Sequence, residues 1–69
     1  MYRPFTRKEA EERIGTVIIE KERKVPHIIT SVWESDIGYA GSYVSFEELL
    51  GHFTDKEGNP MGIKIEGGE

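Results

Sequence analysis

Val25-Pro26-His27-Ile28-Ile29-Thr30-Ser31-Val32-Trp33-Glu34 reads as one long strand, and its two faces decide the fold. Successive side chains on a strand point to opposite sides. Ile28, Thr30 and Val32 therefore share one face, and His27, Ile29, Ser31 and Trp33 the other. Both faces carry large apolar groups. A sheet covered on one side shows cleaner alternation. Either helices cover the second face, or the sheet curls into a small barrel. Pro26 lacks an N–H, which puts that end at an edge or outside the ladder.

Upstream, Thr16 to Lys21 is rich in β-branched residues and predicts a first strand, turned by Glu20-Lys21-Glu22-Arg23-Lys24. Before it, Thr6-Arg7-Lys8-Glu9 fits a capping box: the Thr6 hydroxyl accepts from the Glu9 amide, and the Glu9 carboxylate from the Thr6 amide. A short helix over Thr6 to Arg13 follows, with Ala10 and Ile14 on one stripe and Gly15 as its stop. Downstream, Ser35-Asp36-Ile37-Gly38 reads as a loop, and Tyr39 to Val44 as a third strand interrupted by Gly41, where a bulge or sharp bend is expected. Ser45-Phe46-Glu47-Glu48 is a second capping box. Phe46, Leu49, Leu50 and Phe53 then form a full apolar helical face. Asp55 to Pro60 is a turn-rich loop, Gly62 to Glu66 a last edge strand, and Gly67-Gly68-Glu69 a frayed tail.

The expected fold is a single α+β domain over residues 1–69. It has a small curled antiparallel sheet, or SH3-like partial barrel, of about four strands with two short helices. Its expected core is Ile14, Val17, Ile19, Val32, Phe46, Leu49, Phe53, Ile63 and Ile65.

The 69 residues are 36% hydrophobic and 32% charged, with no Cys. Enough apolar surface is present for a core, but a domain this small buries only ~60% of its unfolded surface. Absence of Cys excludes a disulfide framework, a thiolate nucleophile and a Cys-based zinc site. The longest unbroken apolar run, Val17-Ile18-Ile19, is far short of the ~20 residues that span a bilayer. No apolar stretch follows the basic start, so a cytoplasmic protein without signal peptide or membrane contact is expected.

The net charge of −4 is unevenly spread. Residues 1–24 carry +2, with seven cations alternating with Glu. Residues 25–53 hold no Lys or Arg and four acids, Glu34, Asp36, Glu47 and Glu48. Nucleic-acid binders gather cations on one face, and this middle third would repel phosphate.

No constellation at workable spacing points to catalysis. His27 and His52 lie in different elements without the third ligand that zinc requires. His27 and Ser31 would stand ~13 Å apart along a strand, too far for proton transfer. Asp55-Lys56-Glu57-Gly58-Asn59 places oxygens like a calcium loop, but Pro60 occupies the position that needs Gly. Gly38-Tyr39-Ala40-Gly41 lacks the lysine and spacing of a phosphate loop. The sequence thus predicts no enzyme, no metal and no cofactor.

The aromatics are more informative. Trp33, Tyr39 and Tyr43 come from adjacent predicted strands, with Tyr39 and Tyr43 on one face and His27 near the end of the group. Two readings stand: the rings are core, or they form a binding patch for a protein partner, including a second copy as a homodimer, or for a nucleotide. Arg23 and Lys24 are the nearest cations in sequence for a nucleotide's phosphates.

Tyr43-Val44-Ser45-Phe46-Glu47-Glu48-Leu49-Leu50-Gly51-His52-Phe53-Thr54 and Gly58-Asn59-Pro60-Met61-Gly62 together resemble a group of small phage and prophage proteins. Those end in a short acidic helix, an aromatic-Thr step and an Asp-Gly-x-Pro-x-Gly turn. Arg13-Ile14-Gly15 and Ile28-Ile29-Thr30-Ser31-Val32 are similar to that group as well, so the likeness spans about residues 4–65. Lys-Glu-Gly-Asn-Pro stands where an Asp-Gly pair is typical. The resemblance implies a mobile-element setting and carries over no catalytic residue. The functional expectation is a non-enzymatic accessory or regulatory protein that binds a protein partner. Its acidic middle segment would mimic nucleic acid towards a host protein, as an anti-defence factor would; the alternative is a nucleotide-binding module.

Overall fold

The computed structural model describes residues 1–66; the expected tail at 67–69 lies outside the described residues. The chain forms an α+β fold of two short helices and eight short strands in three small antiparallel sheets, none closed. In chain order these are β1 (Tyr2–Arg3), α1 (Arg7–Glu11), β2 (Val17–Glu20), β3 (Pro26–Ile28), β4 (Ser31–Val32), β5 (Asp36–Tyr39), β6 (Ser42–Ser45), α2 (Phe46–His52), β7 (Phe53–Asp55) and β8 (Ile63–Lys64).

Both capping boxes form. Thr6 Oγ1 accepts from the Glu9 amide and Ser45 Oγ from the Glu48 amide, with each Glu carboxylate returning to its cap N–H. Helix α1 stops at Glu11, two residues short of the expected end, because the chain turns before Gly15, whose φ of 90° only glycine adopts freely. Ile14 therefore falls in a turn instead of on the helix's inner stripe, and it is 48% exposed.

The expected long strand is two strands in different sheets. β3 is an edge beside β2 in the order β3-β2-β7, while β4 pairs with β5 in the order β4-β5-β6. The switch lies at Ile29-Thr30. Ile29 is buried and exchanges backbone bonds with the Gly15–Thr16 segment, and the Thr30 amide and hydroxyl both donate to the Gly38 carbonyl. A strand that changes sheets makes a corner. Ile28 and Ile29 thus point to different sides, which accounts for apolar residues on both faces.

Asp36 to Gly38, expected within a loop, instead forms with Tyr39 the central strand of its sheet, and Ile37 within it is fully buried. The interruption at Gly41 is a two-residue hairpin turn, with φ of 48° at Ala40 and 80° at Gly41. Two central residues at positive φ match the twist of the flanking strands. Ala40 is an unusual occupant of such a turn, which hid it from the composition cues.

The core comprises Phe5, Ala10, Ile18, Ile29, Ile37, Val44, Phe46, Leu49, Phe53 and Met61, with Val32, Tyr39 and Ile63 packed against it. Of the expected core, Phe46, Leu49 and Phe53 are buried, and Val32 and Ile63 lie at its margin. On β2 the faces are reversed: Ile18 is buried, while Val17 and Ile19 are half-buried. Ile18 pairs with His27 and Asp55 across the sheet, and Phe53, two residues from Asp55, brings that face inward. Ile65 lies past the end of β8 and is 44% exposed.

β1 and β8 form a separate two-stranded ribbon with Arg3 opposite Ile63. Arg3 anchors it to α1: Nη1 and Nη2 donate to the two carboxylate oxygens of Glu9 at 2.9 and 2.8 Å. This fork, with the Thr6 amide as a further donor, holds the Glu9 carboxyl at about 2, well below its ordinary value. A depressed carboxyl pKa stabilises the fold above the unfolded value and ceases to do so as pH falls toward the folded one. Urea midpoints of the wild type and Glu9→Gln are therefore expected to differ most near neutral pH and to converge between about pH 4.5 and 2. A gap that persists unchanged at about pH 2 would show that the pair contributes nothing through charge.

Candidate functional site

The sheet β4-β5-β6 carries the exposed aromatic pair. Registers Ser31↔Gly38 and Gly38↔Tyr43 put these three residues in one row across its outer face, while Val32, Ile37 and Val44 form the matching inner row. Gly38 is required by the outer row. A Cβ there would collide with Ser31 Oγ and press on the Tyr43 ring, 3.4 Å from its Cε1. With no side chain at Gly38, the Tyr43 ring lies over the strand. Ser31 Oγ accepts from the Trp33 indole N–H at 3.2 Å. The Trp33 and Tyr43 rings meet edge to face, with centroids 5.9 Å apart, a favoured aromatic geometry. Trp33 is 51% and Tyr43 63% exposed.

The other two candidates are elsewhere. Tyr39 pairs with Ser42 one position along from the Gly38–Tyr43 pair, so it points to the inner face. A single strand through Tyr39 and Tyr43 would put both rings on one side; the hairpin turn between them puts them on opposite sides. Tyr39 is half-buried against His27 of β3, ring centroids 4.7 Å apart, and Phe53 of β7, 5.5 Å apart. His27 and Tyr39 are thus part of the seam between two sheets. The expected four-residue patch divides into an outer pair on one face and His27–Tyr39 at the seam, where His27 also lines a concavity of about 520 Å³ with Val17, Pro26, Ile28 and Thr30.

Carboxylates flank the outer pair along the chain, while α1, which carries Arg7 and Lys8, packs against β4. Glu34 follows Trp33 in an exposed turn, and Asp36 lies on the same strand face as Gly38, opposite Ser45. Glu47 and Glu48 are exposed in the first turn of α2, directly after β6. His52 lies apart, exposed at the end of α2. No group of three or more metal-ligating side chains occurs among the described residues.

A concavity of about 790 Å³ lies on another part of the molecule between the β1–β8 ribbon, the Arg13–Thr16 turn and the Asp55–Pro60 loop. Sequence reasoning missed it, because its walls are brought together only by ribbon closure. The Asp55 loop is tied by its own carboxylate: Oδ1 accepts from the Glu57 and Asn59 amides, and Oδ2 from the Asn59 side chain. The Asn59 and Glu57 donors hold the Asp55 carboxyl below its ordinary value. Those oxygens are committed to their own turn.

No helix among the described residues is long and apolar enough to cross a membrane. No family model, curated protein or solved structure matches the chain.

Proposed function

We propose that this chain is a non-enzymatic accessory protein of a phage or other mobile element. It acts in the host cytoplasm by holding a protein partner with a basic surface on the Trp33–Tyr43 face. The observation that carries this reading is the exposed edge-to-face pair on a three-stranded sheet, set in a stretch without a single Lys or Arg. Trp and Tyr are the residue types that most often anchor interfaces. An aromatic face with carboxylates in the adjoining chain attracts guanidinium and ammonium groups through both charge and the ring quadrupole. A phosphate would be repelled. A second copy would bring two acidic faces together, which disfavours the homodimer on this face.

Trp33 is the sole tryptophan, so its emission reports on the face directly. Titration with an oligo-arginine peptide is expected to change Trp33 emission, with an affinity that falls as salt rises; an oligo-glutamate peptide should do nothing. Tyr43→Ala is expected to weaken binding ~thirtyfold or more, the usual scale for an anchoring aromatic. An unresponsive Trp33 would end this reading. Sedimentation as a dimer at tens of micromolar, reversed by Trp33→Ala, would replace the basic partner with a second copy of the chain.

A further inference from the structure

We propose that the cleft beside the β1–β8 ribbon binds a small organic anion carrying a flat ring, of the mononucleotide class. Its volume of about 790 Å³ lies within the range of small-molecule sites. Half-buried Tyr2, Val17, Pro60 and Ile63 supply its accessible apolar wall, above the buried Phe5 and Met61. Three cations line it: Arg13, Lys56 and Lys64. The two ion pairs among the described residues are Arg3–Glu9 and Arg7–Glu11, and neither uses these three. The Arg13 guanidinium stacks on Phe5, 5.1 Å from the ring centroid, which positions it over apolar surface without neutralising it.

Two carboxylates also line the cleft, Asp55 and Glu57. Asp55 keeps its charge but turns its oxygens into its own loop, so the lining holds three cations against two acids. The balance favours an anion. An inorganic ion alone would leave the Tyr2, Val17 and Ile63 surface unused, whereas a ring attached to the anion covers it. This site shares no residue with the Trp33–Tyr43 face, and each stands or falls without the other.

Amide shift mapping of the isotope-labelled chain with AMP, adenosine and inorganic phosphate tests the proposal. AMP is expected to move the Gly15, Thr16, Lys56 and Gly62 amides, with adenosine and phosphate each at least ~tenfold weaker. Arg13→Ala, at an exposed position, is expected to weaken AMP ~tenfold or more; Lys64→Ala provides the second variant should the first disturb the fold. Binding of AMP no tighter than phosphate would overturn the proposal. So would shifts centred on Trp33 and Tyr43, or an affinity unchanged in both folded variants.

Discussion

Truncation of Leu49 to alanine is expected to lower the unfolding free energy by ~2–5 kcal/mol, the cost of emptying a buried leucine site. Leu49 is fully buried on α2 and sits in the same cluster as Phe46, Phe53 and Ile37. The surroundings cannot readily collapse into the void, because Phe46 and Phe53 are fixed at the two ends of the helix, beside the Ser45 cap and at the start of β7. A chain of this length is stable by only about 3–10 kcal/mol, so the variant is expected to be partly unfolded at room temperature. The urea midpoint measures this, and a value equal to the wild type would remove Leu49 from the core.

Gly62→Ala carries the second large effect. A Cβ at Gly62 would lie 2.5 Å from the Arg3 carbonyl oxygen and 2.7 Å from Leu50 Cδ1. Leu50 can rotate away, but the Arg3 carbonyl is backbone, in a strand paired with β8 and tied to α1 through Glu9. Relief of the clash requires the ribbon to shift, so a loss of ~1–3 kcal/mol is expected. Gly51→Ala is the control. Gly51 sits in α2 with nothing within 4 Å of an added Cβ, and alanine there should stabilise by ~0.5–1 kcal/mol. Urea midpoints that moved the same way in both variants would show that the clash is not felt.

What the sequence made legible was local. Both capping boxes are four-residue patterns whose donors and acceptors sit within one turn, and both form as written. The apolar face of α2 and the edge position of β3 at Pro26 follow from equally short-range rules. What it concealed depends on partners distant along the chain. The inward face of β2 is set by Asp55 and His27 across the sheet, and neither alternation nor composition in Val17–Glu20 reveals which residue they choose. The split of the candidate site has the same origin. Tyr39 and Tyr43 part company because Ala40-Gly41 closes a hairpin, and only the glycine of that pair is a recognisable turn residue. Arg3–Glu9 joins two residues that each have a sufficient local explanation, so nothing in the sequence announces the pair.

The ribbon that pairs Arg3 with Ile63 has a consequence for the order of assembly. The β5–β6 hairpin, closed by two residues, forms within ~1–10 μs. β1 and β8 can meet only after the intervening chain has compacted, since closure of so long a loop in an open chain carries the larger entropic cost. Their contacts are then expected to be absent from the folding transition state, so that a change in the ribbon's strength acts on the rate of unfolding. On this account the two-stranded seam sets how long the native molecule lasts once formed, and the speed of its formation is left to the hairpin and the helices.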